Sequence, residues 1–222
     1  MEDNKDYIFV ALEKSHTGFG KLARLTDPYE YTHITYSGEP DMKHFISFSR
    51  VKHYAPFSSG FSEETLDCFA YGKNETVKLK IFKIPVSAEN KEHINQFIEY
   101  VRADRKNYYF NLFSAVSMPI FHGFRIYKTY NCMSFVGRIL EMTGNFTMEK
   151  AYYKYSIEEL DKMMSDFCIE EREFRREEIL TPDYMDSVNI FYNIGTLIRM
   201  LTILTWRLIF RNPDKDDFKL TE

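Results

Sequence analysis

The sequence predicts an α+β domain, in which a small antiparallel sheet packs on helices, followed by a C-terminal amphipathic helix. Three observations carry this expectation. Alternating, β-prone segments crowd into the first 86 residues. After Ser87 the apolar period lengthens to that of a helix. The last apolar segment repeats at spacings of three and four residues.

In order along the chain, residues 7–12 (YIFVAL) read as a strand. Residues 31–37 (YTHITYS) and 44–50 (HFISFSR) flank Gly38, Glu39, Pro40 and Asp41, which is turn chemistry, so the two segments predict a hairpin. Residues 55–60 read as a loop. Residues 77–86 (VKLKIFKIPV) form the clearest strand, with Val77, Leu79 and Ile81 on one face and Lys78 and Lys80 on the other. Ser87 is a natural N-cap for a helix over 88–104, whose apolar positions are Ile94, Phe97, Ile98 and Val101. A second helix over 131–143 stops at Gly144, and Ser156-Ile-Glu-Glu159 is a capping box opening a third. The charge run at 170–178 (EEREFRREE) reads as a solvated helix or connector. It divides the chain into a main domain, 1–168, and an appendage, 169–222.

Within that appendage, Ile190, Ile194, Leu197, Leu201, Leu204 and Leu208 form one stripe, and Asn189, Asn193, Thr196, Arg199 and Arg207 another. A membrane span of this length is disfavoured by Arg199 near its centre, which costs about 2.5–3.5 kcal/mol on insertion scales. A helix that docks on the domain, pairs with a second copy, or lies on a membrane surface fits better.

Composition narrows the function. The 222 residues carry 29 basic and 33 acidic side chains, a net charge of −4, which supplies no basic footprint for nucleic acid. Twenty Phe and sixteen Tyr against nine Gly exclude a disordered or collagenous chain. Cys68, Cys132 and Cys168 fit neither a disulfide framework nor a zinc site. The opening Met-Glu-Asp-Asn-Lys-Asp has no secretory signature. The expectation is therefore a cytoplasmic protein, with membrane association left open by the last helix, and with neither metal nor cofactor.

Chemistry concentrates on Cys132. With Phe135, Val136, Ile139 and Leu140 it shares one helical face, in the first turn, where unpaired backbone amides favour a thiolate. The competing reading is a small core residue. Gly137 would let this helix approach a sheet closely. Among six histidines, His33 stands out as a strand-borne imidazole among Thr32, Thr35 and Ser37, rigid enough for general-base work; a hydrogen-bonded structural histidine is the alternative. His44, across the hairpin, could orient it, with Ser47 a weaker candidate. Gly18-x-Gly20-Lys21 lacks phosphate-loop spacing, and the pairs Glu63–Glu64 and Glu158–Glu159 are explained as helix-start residues.

A strand-borne histidine, a polar residue on the next strand, and Asn131-Cys132-x-x-Phe135-Val136 at a helix start about a hundred residues later resemble the circularly permuted NlpC-like branch of the papain superfamily. That branch holds YiiX/YycO-type bacterial hydrolases and lecithin–retinol acyltransferase relatives. Thr17 to Leu25 (TGFGKLARL) and Tyr31-Thr32-His33 are similar to the bacterial members' N-terminal motif, and Ile46 to Arg50 to their second strand. The resemblance spans about residues 7–166. The helix start departs from it: many bacterial relatives carry Cys-Ser-x-Phe-Val, where this chain has Cys132-Met133-Ser134-Phe135-Val136. It implies a permuted papain-like core with Cys132 as nucleophile, His33 as base and His44 as the orienting residue. It also implies a thioester formed from a small-molecule, peptide or lipid ester or amide. The competing function is a non-enzymatic interaction or membrane-surface protein that uses its C-terminal helix.

Overall fold

The computed structural model describes residues 6–14, 29–70, 75–176, 182–216 and 218. The basic segment at 17–25, with Gly18, Gly20 and Lys21, lies outside them.

The strands are β1 (Asp6–Glu13), β2 (His33–Ser37), β3 (Phe45–Lys52), β4 (Ala55–Glu64), β5 (Thr76–Val86), β6 (Tyr109–Phe110), β7 (Thr129–Tyr130) and β8 (Cys168–Arg175). They form one sheet in the order β7-β6-β4-β3-β2-β1-β5-β8. Every pairing is antiparallel except that of β6 with β7. The helices are α1 (Leu66–Phe69), α2 (Ala88–Ala103), α3 (Leu112–Phe121), α4 (Cys132–Thr143), α5 (Ile157–Met164) and α6 (Ile190–Phe210). The α+β class is as expected, but the sheet is mixed and larger than the small antiparallel one the sequence predicts.

Two strands account for much of the difference. Residues 55–60, read as a loop because of Pro56, Ser58, Ser59 and Gly60, belong to β4. It pairs with β3 residue by residue from Phe45↔Glu64 to Arg50↔Ser59 and, after a register shift, at Lys52↔Ala55. Gly60 is needed there, since a Cβ would stand 2.6 Å from the Tyr108 carbonyl oxygen. The charge run is no connector: β8 pairs with β5, setting Lys80 opposite Glu171 and Lys78 opposite Glu173. Charged side chains suit a strand with an open edge, where they oppose pairing with another chain. The boundary expected after residue 168 therefore runs through the sheet.

The main core lies between the sheet and α2, α4 and α5. Ile34, Tyr36 and Phe48 from the strands meet Phe97 of α2 and Phe135, Val136, Ile139 and Leu140 of α4, all fully buried or nearly so. Burying each such side chain contributes about 1.5–3 kcal/mol. Ser87 caps α2 as expected by accepting from the Asn90 amide, and Gly144 ends α4 in the left-handed conformation. Gly137 does permit a close approach, though to the Tyr152 backbone rather than to the sheet: a Cβ would lie 2.6 Å from the Tyr152 carbonyl oxygen.

Helix α6 is long and apolar enough to cross a membrane. Only part of the apolar stripe faces inward, at Leu197 and Leu204. Met200 and Leu204 are buried against Ile126, and Asn193 and Arg207 turn toward the domain. Asn193 donates to the Tyr54 carbonyl, and Arg207 donates to the carbonyls of Asn107, Tyr127 and Lys128. Those hydrogen bonds tie the helix to carbonyls of the connecting segments and so fix its rotation. Ile190, Ile194 and Leu208 of that stripe are left exposed together with Phe191, Ile198 and Ile209.

Gly137→Ala is expected to destabilise the domain by about 1–3 kcal/mol, because the new methyl group has only backbone to displace. Urea unfolding of the two proteins checks this.

Candidate active site

The site begins with a helix cap. Asn131 accepts from the Ser134 amide (2.8 Å) and Ser134 Oγ accepts from the Asn131 amide (3.0 Å). This reciprocal box occupies two of the free amides at the start of α4. Cys132 follows at the first helical position, 7% exposed, with its side chain at the wall of a cleft of about 730 Å³.

Across the cleft stands His33, the first residue of β2. Cys132 and His33 line the same cleft, and the thiol is close enough to influence the imidazole's ionisation, so the structure brings together these two residues, 99 positions apart in sequence. His33 Nε2 is engaged elsewhere. Glu64 Oε2 lies 3.2 Å from it, Ser47 Oγ 3.3 Å and Glu13 Oε1 3.8 Å, so these polar neighbours gather on one ring nitrogen.

His44 is not part of this group. Tyr36 pairs with Ile46, so His33 sits at one end of the hairpin and His44 at the turn end, exposed to solvent. The carboxylate that does meet His33 is Glu64, at the end of β4. It is strand-borne and buried rather than a helix-start residue as expected. The sequence hides it because β4 carries loop-forming residues. The one available signal is the alternation of Gly60, Ser62 and Glu64 along a strand face. Ser47, the weaker candidate, donates to Glu64 Oε2 (2.7 Å), and Ser49 donates to its other oxygen. Ser62 lies 3.1 Å from Ser47 Oγ and 2.9 Å from Ser49 Oγ, closing a hydroxyl cradle under the carboxylate.

These contacts set the charges. Burial opposes ionisation of Glu64. The charge of His33 and the hydrogen bonds from His33, Ser49 and Ser47 outweigh it and hold the carboxyl below its usual range. Burial likewise opposes a charged His33, but Glu64, Glu13 and the contact with Cys132 raise its pKa well above that of a free imidazole. Glu13 goes the other way: desolvation pushes its pKa up to about 8, against the pull of His33. These contacts favour the charged forms of His33 and Glu64, whereas burial favours a protonated Glu13.

The rest of the cleft is mostly apolar, walled by Phe57, Leu112, Val116, Pro119, Met133 and Met200, with Arg50 and Tyr184 near the polar end. Arg50 Nε donates to the Tyr184 hydroxyl (2.9 Å). Among the described residues, no cluster of His, Cys, Asp or Glu is arranged to hold a metal ion. Cys68 also borders the cleft, beside Thr65, whereas Cys168 is exposed on β8.

The chain matches no protein-family model, no curated protein and no solved structure.

Glu64→Gln removes the charge nearest His33. The imidazole pKa is expected to fall by at least about one pH unit, measured by the pH dependence of its ring nitrogen shifts in NMR.

Proposed function

We propose that this chain is a cysteine-dependent hydrolase or acyltransferase that acts on an ester or amide through a thioester on Cys132. The observation carrying this reading is a helix-start thiol that shares an open cleft with an imidazole whose Nε2 is held by a buried carboxylate. The order of these residues, histidine before cysteine, is that of the permuted NlpC-like papain branch, to which we assign the core.

In the reaction, His33 Nδ1 takes the Cys132 proton, giving a thiolate and an imidazolium. Glu64 accepts from Nε2–H throughout, fixing the ring's tautomer and orientation and offsetting its charge. The sulfur attacks the carbonyl carbon, and the oxygen takes up the electron pair of the C=O bond. The capping box uses the amides of Asn131 and Ser134, so those of Cys132 and Met133 remain at the helix start to face the developing oxyanion. Collapse expels the amine or alcohol, which leaves with the proton from His33, and the acyl group stays on sulfur. Water or an acceptor hydroxyl or amine then gives its proton to His33 and attacks the thioester, and the thiolate departs. The apolar walls favour an acyl group with an extended apolar portion.

The second reading, a membrane-surface protein, is favoured by the outward face of α6. Phe191 is 80% exposed, Ile198 59% and Ile209 64%, with no acidic residue on the helix. Both readings can hold for one molecule.

Cys132 is expected to react with iodoacetamide at neutral pH well ahead of Cys68 and Cys168, read by peptide mass spectrometry. Cys132→Ser should cut turnover of activated esters by at least about a thousandfold. Equal, slow labelling of all three thiols would overturn the enzyme reading. For the second reading, the wild-type chain should float with phosphatidylglycerol–phosphatidylcholine vesicles, and the double variant Ile198→Glu, Ile209→Glu should not.

A further inference from the structure

Glu13 is a buried acid that the reaction above does not use. It ends β1, directly opposite His33 on β2 and Leu79 on β5. It is 5% exposed and borders the cleft. Its Oε1 lies 3.8 Å from the imidazole nitrogen that Glu64 already holds at 3.2 Å. Its Oε2 is buried and has no hydrogen-bond partner among the described residues. Glu64 is cradled by three serines; Glu13 has no such cradle. One imidazole thus faces two carboxyl groups in very different surroundings.

We propose that Glu13 is a positioning residue that acts through His33: as a neutral acid it lets the imidazolium give up its proton to the leaving group, and its ionisation closes the working range on the alkaline side. This rests on the reading of Cys132 as nucleophile and His33 as its base.

The argument is one of charge. A thiolate, an imidazolium and the Glu64 carboxylate sum to one negative charge in a buried site. Ionising Glu13 would add a second beside Nε2. That charge would oppose formation of the thiolate and would hold the proton on His33, which must release it when the leaving group departs. The charged groups acting on Glu13 are His33 on β2, Glu64 on β4 and Arg50 on β3. Cys132 of α4, Cys68 of α1, Tyr31 and Tyr184 also line the cleft, as do His122, Lys154, Glu158, Glu159 and Lys162, and Asp67 of α1 is turned onto Thr65. Arg50 is the cation besides His33 that acts on Glu13, and its Nε is committed to Tyr184. Burial dominates, keeping Glu13 protonated until about pH 8. The wild-type site should therefore change its charge in mildly alkaline solution, before an ordinary thiol or lysine does.

The test compares wild type with Glu13→Gln, a neutral mimic of the protonated acid. Ring-nitrogen NMR of His33 should show a second inflection in wild type as Glu13 ionises. In the variant the inflection should be absent, and His33 should lose its proton at least about one pH unit lower. Where an ester is turned over, the alkaline fall in rate should move upward in the variant. Infrared spectroscopy of wild type alone gives a check that needs no folded variant: a carboxylic-acid carbonyl band should persist at neutrality and vanish between about pH 7 and 9. Superimposable His33 titrations, or no such band, would overturn the inference. An inert Cys132 beside a Glu13-dependent His33 titration would instead remove the enzyme reading.

Discussion

The ion pair between Glu64 and His33 is the constraint on which the site depends. Both groups are buried, so neither could stay charged alone: a lone buried carboxyl takes up a proton, as Glu13 does, and a lone buried imidazole loses one. Together, with Ser47 and Ser49 donating to the carboxylate, they hold one fixed arrangement. That arrangement needs β2, β3 and β4 in register, because each strand supplies one part of it. The eight-stranded sheet therefore does more than fill a core, since it sets Glu64 and Ser47 at hydrogen-bonding distance from one ring.

The thiol reaches this pair through local chemistry. Asn131 and Ser134 close the helix start on themselves, and the apolar face of α4 seats the helix against the sheet. Cys132 has no freedom left except its own side-chain torsion. This is how a rigid scaffold turns a bimolecular encounter into a preset contact.

Much of this was legible in the sequence, and the failures have physical causes. The pattern of α4 identified Cys132, because helical period, N-cap and stop signal all agree there. His33 was legible from a strand of alternating β-branched and aromatic residues. Glu64 was not, since β4 is rich in Ser, Pro and Gly and becomes a strand through tertiary pairing that overrides local preference. The charge run of β8 misled for a similar reason. A half-exposed edge strand needs only the Lys–Glu partners supplied by β5. The rotation of α6 was hidden because its docking is decided by Arg207 and Asn193 seeking backbone carbonyls, which an apolar tally does not weigh.

The order of the site residues along the polypeptide has a consequence for the molecule's biosynthesis. Positions 13, 33 and 64 leave the ribosome before position 132. A nascent chain can pair its strands and settle its carboxyl groups while the sulfur is still within the translation machinery, since domains tend to form from the N-terminus forward. The acid–base groups of the growing polypeptide can thus be in place before the sulfur reaches them.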